Sequence, residues 1–209
     1  IPEIRERWHD IHGQYPSQAD VDRMFGDFVP MQLDCLRNYT TLLPLVAETT
    51  QSLQKQGIKI GSSTGFMRSM VNILEEDARK QGYTPDASVA GDEVINGARP
   101  KPFMVYRNLD LLDVHPIQSV IKVDDTVSGV GEALEAGCWG VGIARYSNYM
   151  DMDTLEEADS LSEGEINRRL AHTRELLQKA GAHYVIDTWE QMPDVIEDVN
   201  IRLGRGEKP

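Results

Sequence analysis

The stretch SVIKVDDTVSGVGEALEAGCWGVGI, residues 119–143, decides the fold class. Its first part, residues 119–123, has the apolar pattern of a buried strand. Residues 127–136 have a helical pattern that ends at Gly137, the residue type that most often closes a helix. Residues 139–143 form a second apolar strand. A strand, a helix and another strand in succession indicate parallel strands joined by a crossover helix.

The same alternation continues on both sides of this stretch and predicts an α/β fold. Further strands are predicted at residues 58–63, 87–90 and 183–186, and helices at residues 44–56, 67–81, 102–112, 163–180 and 192–203. Helices of this length between strands predict a Rossmann-like parallel sheet that is covered on both faces.

The first forty residues have a different pattern, because they contain helical spacing and no strand candidate. Ser17 and Asp20 have the spacing of a capping box, and Pro30 is expected to kink or break the helix that follows. We therefore divide the chain into a helical piece, residues 1–40, and an α/β core, residues 41–209.

Composition and charge exclude several classes of function. The 209 residues carry a formal net charge of −13, which disfavours a nucleic-acid partner because such a surface repels phosphate. No apolar run is long enough to cross a membrane. Cys35 and Cys138 both have apolar neighbours, so we expect two reduced core cysteines and a cytoplasmic protein without a signal peptide.

Polar residues follow the first predicted strand, at the edge where ligands bind in open α/β sheets. Ser63, Thr64, Gly65 and Phe66 lie between this strand and the next helix. Hydroxyl and backbone N–H groups in such a loop suit a phosphate oxygen, although an ordinary helix cap has the same residues.

Charged residues follow the next two strands. Arg99 and Lys101 lie in a loop stiffened by prolines and compete for the role of phosphate partner, unless they are solvated loop charges. Asp124 and Asp125 end the strand at 119–123, where unpaired carboxylates are costly without a cation. The two aspartates therefore predict a Mg²⁺ site. The alternative is that both are exposed acids of a loop.

A hydroxyl loop, a basic loop and an acidic loop in this order resemble the haloacid dehalogenase superfamily. Five motifs narrow the resemblance to the phosphonoacetaldehyde hydrolase (phosphonatase) family: GIKIGSSTG at 57–65, QGYxPD at 81–86, RPxP at 99–102, IKVxDTV at 121–127 and GAH at 181–183. The resemblance covers nearly the whole chain and implies that the core is accompanied by a helical cap domain, to which residues 1–40 would belong.

The resemblance implies hydrolysis of the carbon–phosphorus bond of phosphonoacetaldehyde to acetaldehyde and phosphate. In the family, a cap lysine forms a Schiff base with the aldehyde, an aspartate attacks phosphorus, and Mg²⁺ neutralises charge. A homodimer formed through the cap helices is also implied. Carried over to this chain, the site residues are Thr64 and Arg99 as catalytic residues, Ser63, Gly65 and Phe66 around the substrate, and Asp125 with Asp124 at the metal.

The chain departs from the family at three places. The basic loop carries one extra residue, Ala98 or Arg99. Some members have a second acid where this chain has Gly129, and Asp124 is then the candidate to replace it. The family's nucleophilic aspartate and Schiff-base lysine match nothing here, because Ile1 falls just beyond that lysine in the family's order. We therefore expect this chain alone to be inactive. The alternatives are a truncated, non-catalytic relative that binds phosphate and Mg²⁺, and another phosphatase of the superfamily.

The family's nucleophile strand lies between the strands predicted at 58–63 and 119–123. We therefore expect these two strands not to pair directly. They are expected to flank a gap of two strand spacings, roughly 10 Å, or a strand from elsewhere.

Overall fold

The structure, a computed structural model, describes residues 2–97, 99–152, 154, 157 and 160–209, with side chains from Arg5 onward. The chain divides into two compact units, Ile1–Thr41 and Leu42–Pro209. No helix of the described residues is long and apolar enough to span a membrane.

The first unit contains two α-helices, α1 (Pro2–His12) and α2 (Gln18–Cys35), followed by a 3-10 turn at Leu36–Tyr39. The predicted capping box is confirmed, because Ser17 Oγ accepts from Asp20 N while Asp20 Oδ2 accepts from Ser17 N. The helix continues through Pro30 without a break. Cys35 is exposed, so the prediction that it lies in the core was wrong. No residue of α2 is buried, and the apolar neighbours of Cys35 therefore form no core there.

The second unit confirms the α/β prediction. Its strands are β1 (Gly61–Thr64), β2 (Ala87–Ala90), β3 (Ile121–Asp124), β4 (Trp139–Ile143) and β5 (Tyr184–Ile186). Its helices are α3 (Val46–Lys55), α4 (Arg68–Lys80), α5 (Phe103–Leu112), α6 (Val127–Ala136), α7 (Glu163–Lys179) and α8 (Met192–Gly204). The strand predicted to start at residue 58 starts later, because the N–H of Ile60 donates to the Asp86 carboxylate (2.8 Å) and not to a neighbouring strand.

The strands form two parallel sheets, one of β1 and β2 and one in the order β3-β4-β5. In the first sheet Thr64 lies opposite Ala90, and in the second Asp124 lies opposite Gly142. Among the described strands, no ladder joins β1 to β3. The expectation that these two strands do not pair directly is therefore confirmed, and the width of the space between them stays a prediction.

Helices cover both faces of the three-stranded sheet. On one face, Val195 and Val199 of α8 pack with Trp139 and Val141 of β4. The other face of β4 carries glycine, and a Cβ atom on Gly142 would lie 3.0 Å from the Cβ of Leu177 in α7. This close packing fixes β4, and through its parallel pairing it fixes the carboxyl end of β3.

Candidate active site

The loop after β1 carries the predicted hydroxyl group. Thr64 Oγ1 accepts a hydrogen bond from the backbone N–H of Phe66 (3.2 Å). This loop touches the loop after β2, since a Cβ atom on Gly91 would lie 2.8 Å from the carbonyl oxygen of Gly65. The backbone N–H of Gly91 also donates to the carbonyl of Phe66 (2.9 Å). The ends of β1 and β2 therefore form one continuous rim.

A side-chain network that the sequence analysis did not identify holds the loop after β2. The guanidinium of Arg68, at the start of α4, donates from Nε and Nη2 to both carboxylate oxygens of Glu93, and from Nη2 to the carbonyl of Ser88 (2.9 Å). The hydrogen bonds from Arg68 are the main reason that the pKa of Glu93 lies below its ordinary value. The contacts of Arg68 with Glu93 and Ser88 fix the first residues of the loop that carries Arg99.

The two cations of the basic loop have different positions. Lys101 is exposed, and its Nζ donates to the carbonyl of Asn96 within the same loop (2.8 Å). Arg99 instead reaches both sheets: its Nη2 donates to the carbonyl of Ser63 at the end of β1 (3.0 Å) and lies 3.1 Å from Oδ2 of Asp124 at the end of β3. Arg99 is therefore the cation that connects the hydroxyl loop to the acidic loop.

Asp124 belongs to a group of four charged side chains, which we call the ion cluster: Arg99, Lys122, Asp124 and Glu132. Lys122 Nζ lies 2.7 Å from Oδ2 of Asp124 and 3.3 Å from Oε2 of Glu132. Arg99 Nε donates to the same oxygen of Glu132 (3.2 Å). Two positive and two negative charges thus alternate around a closed ring, which compensates the desolvation of each.

Two types of interaction act on the Asp124 carboxyl. Its burial alone would raise its pKa, but the positive charges of Lys122 and Arg99 and the hydrogen bonds from Lys122 and Thr126 hold the pKa below its ordinary value. Oδ1 accepts from both the N–H and the hydroxyl of Thr126 (3.1 and 2.8 Å). Asp124 is therefore ionised at neutral pH, and both of its oxygens already have partners.

Asp125 has the opposite environment. Burial raises the pKa of its carboxyl, and the negative charge of Asp124 raises it further. The backbone of Asp125 is held by the buried Ser147, whose hydroxyl donates to its carbonyl (2.6 Å), and the next turn is held by Tyr149, whose hydroxyl accepts from Val127 N (3.2 Å). No described residue gives the Asp125 carboxylate an ion pair, so a cation that binds it would relieve an uncompensated charge.

The described residues contain no group of three or more His, Cys, Asp or Glu side chains that could hold a metal by themselves. The structure thus fits one carboxylate ligand, Asp125, with further oxygen ligands needed from water, substrate or another segment. This donor set is typical of Mg²⁺, which usually keeps several waters.

The structure brings Ser63, Arg99 and Asp124 into direct contact, with Thr64, Gly65, Phe66 and Asp125 next to them in the chain. The sequence analysis missed Lys122 and Glu132. A signal for Lys122 was present, because residues two apart in a strand share a face and Lys122 is two residues before Asp124. Glu132 was detectable only as an acid among the small apolar residues of α6.

Comparisons with known proteins identify relatives of the whole chain. The chain is 36% identical, over 209 residues, to a phosphonoacetaldehyde hydrolase of Syntrophobacter fumaroxidans, and the match covers 100% of this chain and 75% of that protein. Among solved structures, a phosphonoacetaldehyde hydrolase-like protein from Oleispira antarctica superposes with a TM-score of 0.92 and 38% identity, over 100% of this chain and 75% of that one.

A more distant structure shares the fold alone. It is a haloacid dehalogenase hydrolase from Entamoeba histolytica, with a TM-score of 0.62 and 19% identity over 92% of this chain and 78% of that one. No family model matches. The identity to relatives along the full chain nevertheless decides the family. The chain belongs to the phosphonoacetaldehyde hydrolase family, which is a family of enzymes.

Proposed function

We propose that this chain carries the phosphate and metal half of an active site that hydrolyses phosphonoacetaldehyde to acetaldehyde and phosphate. The observation that carries the proposal is the position of Arg99, whose guanidinium contacts the end of β1 at Ser63 and the end of β3 at Asp124. The name of the Syntrophobacter fumaroxidans relative supplies the substrate.

The phosphoryl group is held by Thr64, the backbone N–H groups around Gly65, and Arg99. Among the described residues, Nη1 of Arg99 has no partner, which leaves two N–H donors for phosphoryl oxygens. Ser63 fixes the guanidinium through its carbonyl. Phe66 lies in the loop between β1 and α4, where its ring borders the substrate.

Asp125 is the Mg²⁺ ligand of this chain. The metal, when bound, neutralises charge on the phosphoryl oxygens during transfer. The raised pKa of Asp125 supports this assignment, because no described residue forms an ion pair with the carboxylate. Asp124 acts beside it by holding Arg99, since Lys122, Arg99 and Thr126 already occupy its oxygens.

The family's chemistry also uses an attacking aspartate and a Schiff-base lysine, and we assign neither role to a residue of 1–209. The lack of a ladder between β1 and β3, among the described strands, supports a strand between them that carries the nucleophile. The lysine turns a poor carbanion leaving group into an enamine, so that water finally yields acetaldehyde and phosphate. We assign residues 1–40 to the helical cap of the family.

The enzyme forms a homodimer through the cap helices. Six large apolar side chains of the first unit are exposed: Ile11, Tyr15, Phe25, Phe28, Met31 and Tyr39. The substitution Phe28→Asp is expected to shift the mass measured by light scattering from that of a dimer to that of a monomer. The same change at the exposed Leu111 of the second unit is the control, and an equal effect of both changes contradicts the assignment.

Titration calorimetry with Mg²⁺ tests the site directly. We expect weak binding that Asp125→Ala abolishes and Asp124→Ala weakens less. Inorganic phosphate is expected to bind at Thr64, Gly65 and Arg99, and Arg99→Ala is expected to weaken this binding without abolishing it, because Thr64 and the backbone N–H groups remain. Equal Mg²⁺ affinity of the wild-type and Asp125→Ala proteins would remove the metal site from this account.

A further inference from the structure

Glu132 is a fully buried acid that the proposed chemistry does not use. Its side chain on α6 is 0% exposed, and Oε2 lies 3.2 Å from Arg99 Nε and 3.3 Å from Lys122 Nζ. Its other oxygen, Oε1, is buried without a hydrogen-bond partner. A carboxylate in such a position is costly, so its presence needs an explanation beyond packing.

The geometry of Arg99 provides that explanation. Nε donates to Glu132 and Nη2 to Ser63, with Nη2 also 3.1 Å from Asp124. These two nitrogens form one edge of the planar guanidinium, and fixing both leaves a single orientation. The remaining nitrogen, Nη1, has no partner among the described residues, and the Arg99 side chain is 22% exposed while that of Glu132 is fully enclosed.

We propose that Glu132 is a positioning residue that acts through Arg99. It binds the inner edge of the guanidinium so that Nη1 is presented to the phosphoryl group. This inference rests on the proposed phosphate site and adds to it a residue outside the strand-end loops.

Lys122 makes this arrangement electrostatically possible. Glu132 and Asp124 would otherwise both face Arg99 as the only cation, and two carboxylates with one partner repel each other. Lys122 lies between them, at 2.7 Å from Asp124 Oδ2 and 3.3 Å from Glu132 Oε2, and makes the ion cluster neutral. The phosphate site therefore gains oriented donors from Arg99 and no excess charge from the cluster.

Because the ion cluster is neutral, a double substitution can remove one cation and one anion without a change in net charge. Replacing one cation and one anion together, as Lys122→Met with Glu132→Gln, leaves Arg99 paired with Asp124 and keeps the net charge. The double variant removes the charged inner partner of Arg99 and also the Lys122–Asp124 pair, so a change in phosphate binding is assigned to Arg99 by repeating the measurement without Arg99. We expect this double variant to bind inorganic phosphate roughly tenfold more weakly by calorimetry.

Repeating the measurement in the Arg99→Ala protein distinguishes a loss of Arg99 positioning from general structural damage. In the Arg99→Ala protein, the same double variant is expected to weaken phosphate binding no further. Equal weakening in both backgrounds, or none in either, overturns the inference while the phosphate site stands. If Arg99→Ala alone leaves phosphate affinity unchanged, the phosphate site itself is overturned, and the inference with it. Lys179→Met with Glu175→Gln, an exposed pair on α7, is the matched control and should change nothing.

A measurement on the unaltered chain keeps the inference testable if the double variant does not fold. The Nε–H of Arg99, identified by NMR through its loss in Arg99→Lys, is expected to exchange with water at least about tenfold more slowly than the Nε–H of Arg107, whose side chain is 52% exposed. Equally fast exchange of the two groups means that Glu132 does not hold Arg99 and overturns the inference.

Discussion

The carboxyl group of Asp124 occupies the space into which a Cβ atom on Gly129 would project. Gly129 is buried in the first turn of α6, and its N–H donates to the hydroxyl of Thr126 (3.0 Å), which also donates to Asp124. Some members of the family have an acid at the position of Gly129. Here the carboxylate comes from the end of β3 and requires glycine on the facing helix.

The first prediction concerns the space at Gly129. An alanine there must displace the Asp124 carboxylate, and overpacking of this kind destabilises by about 1–3 kcal/mol. Gly131 lies in the same helix, and its Cβ would meet only the Pro100 side chain at 3.4 Å, so Gly131→Ala is the control. We expect it to be neutral, or to stabilise by up to about 1 kcal/mol. Urea denaturation of both variants measures the difference, and equal effects contradict the close approach.

A pair of substitutions tests whether residues 124 and 129 share one carboxylate position. Asp124→Ala removes one partner of two buried cations and is expected to cost about 3–5 kcal/mol. Gly129→Asp alone adds a second carboxylate to an occupied space and is expected to be the least stable variant. The combination is therefore expected to be more stable than Gly129→Asp alone. If the double variant loses as much unfolding free energy in urea as the two single variants added together, the two positions are independent and the prediction is wrong.

Asp125 is expected to lower the stability of the metal-free protein at neutral pH. Burial and Asp124 raise its pKa in the folded state, so its contribution is favourable below the unfolded pKa, near 3.8, and is lost as pH rises through the folded pKa. Asp125→Asn should therefore stabilise at pH 7, on the order of 1 kcal/mol, with a smaller gain toward pH 4. Mg²⁺ should stabilise the wild-type protein and leave Asp125→Asn unchanged in thermal denaturation. A destabilising Asp125→Asn change at pH 7 contradicts this.

His183 makes stability fall in mild acid. Its Nδ1 accepts from the backbone N–H of Gly140 (2.9 Å), and burial, helped by the charge of Arg202, lowers its pKa from 6.5. The stability that it contributes is complete above about pH 6.5 and is lost as pH falls through the lowered pKa. His183→Asn keeps an acceptor and does not titrate. Between pH 7.5 and 5, the wild-type protein should therefore lose more stability than His183→Asn, and parallel urea midpoints would refute this.

The fold could be predicted from the sequence because its signals are local. The apolar strand Trp139–Ile143 and the helix Val127–Ala136, which is closed by Gly137, can each be recognised within one element. The contact of Arg99 with Ser63 joins residues 36 positions apart, and only the tertiary structure brings them together. The same is true of Glu132, whose partners lie on a strand and a loop. The prediction that Cys35 is buried was wrong for a related reason, because apolar neighbours in the sequence do not show that one face of a helix is covered.

Turnover of phosphonoacetaldehyde tests the central claim most directly. A chimera that joins residues 1–209 to the part of the Syntrophobacter fumaroxidans relative outside its match to this chain would, in this account, contain the attacking aspartate and the lysine. We predict that this chimera releases phosphate and acetaldehyde in equal amounts when Mg²⁺ is present. We also predict that Arg99→Ala lowers its rate by about a hundredfold or more. A folded chimera that hydrolyses p-nitrophenyl phosphate but not phosphonoacetaldehyde, or that keeps its full rate after Arg99→Ala, would contradict the account.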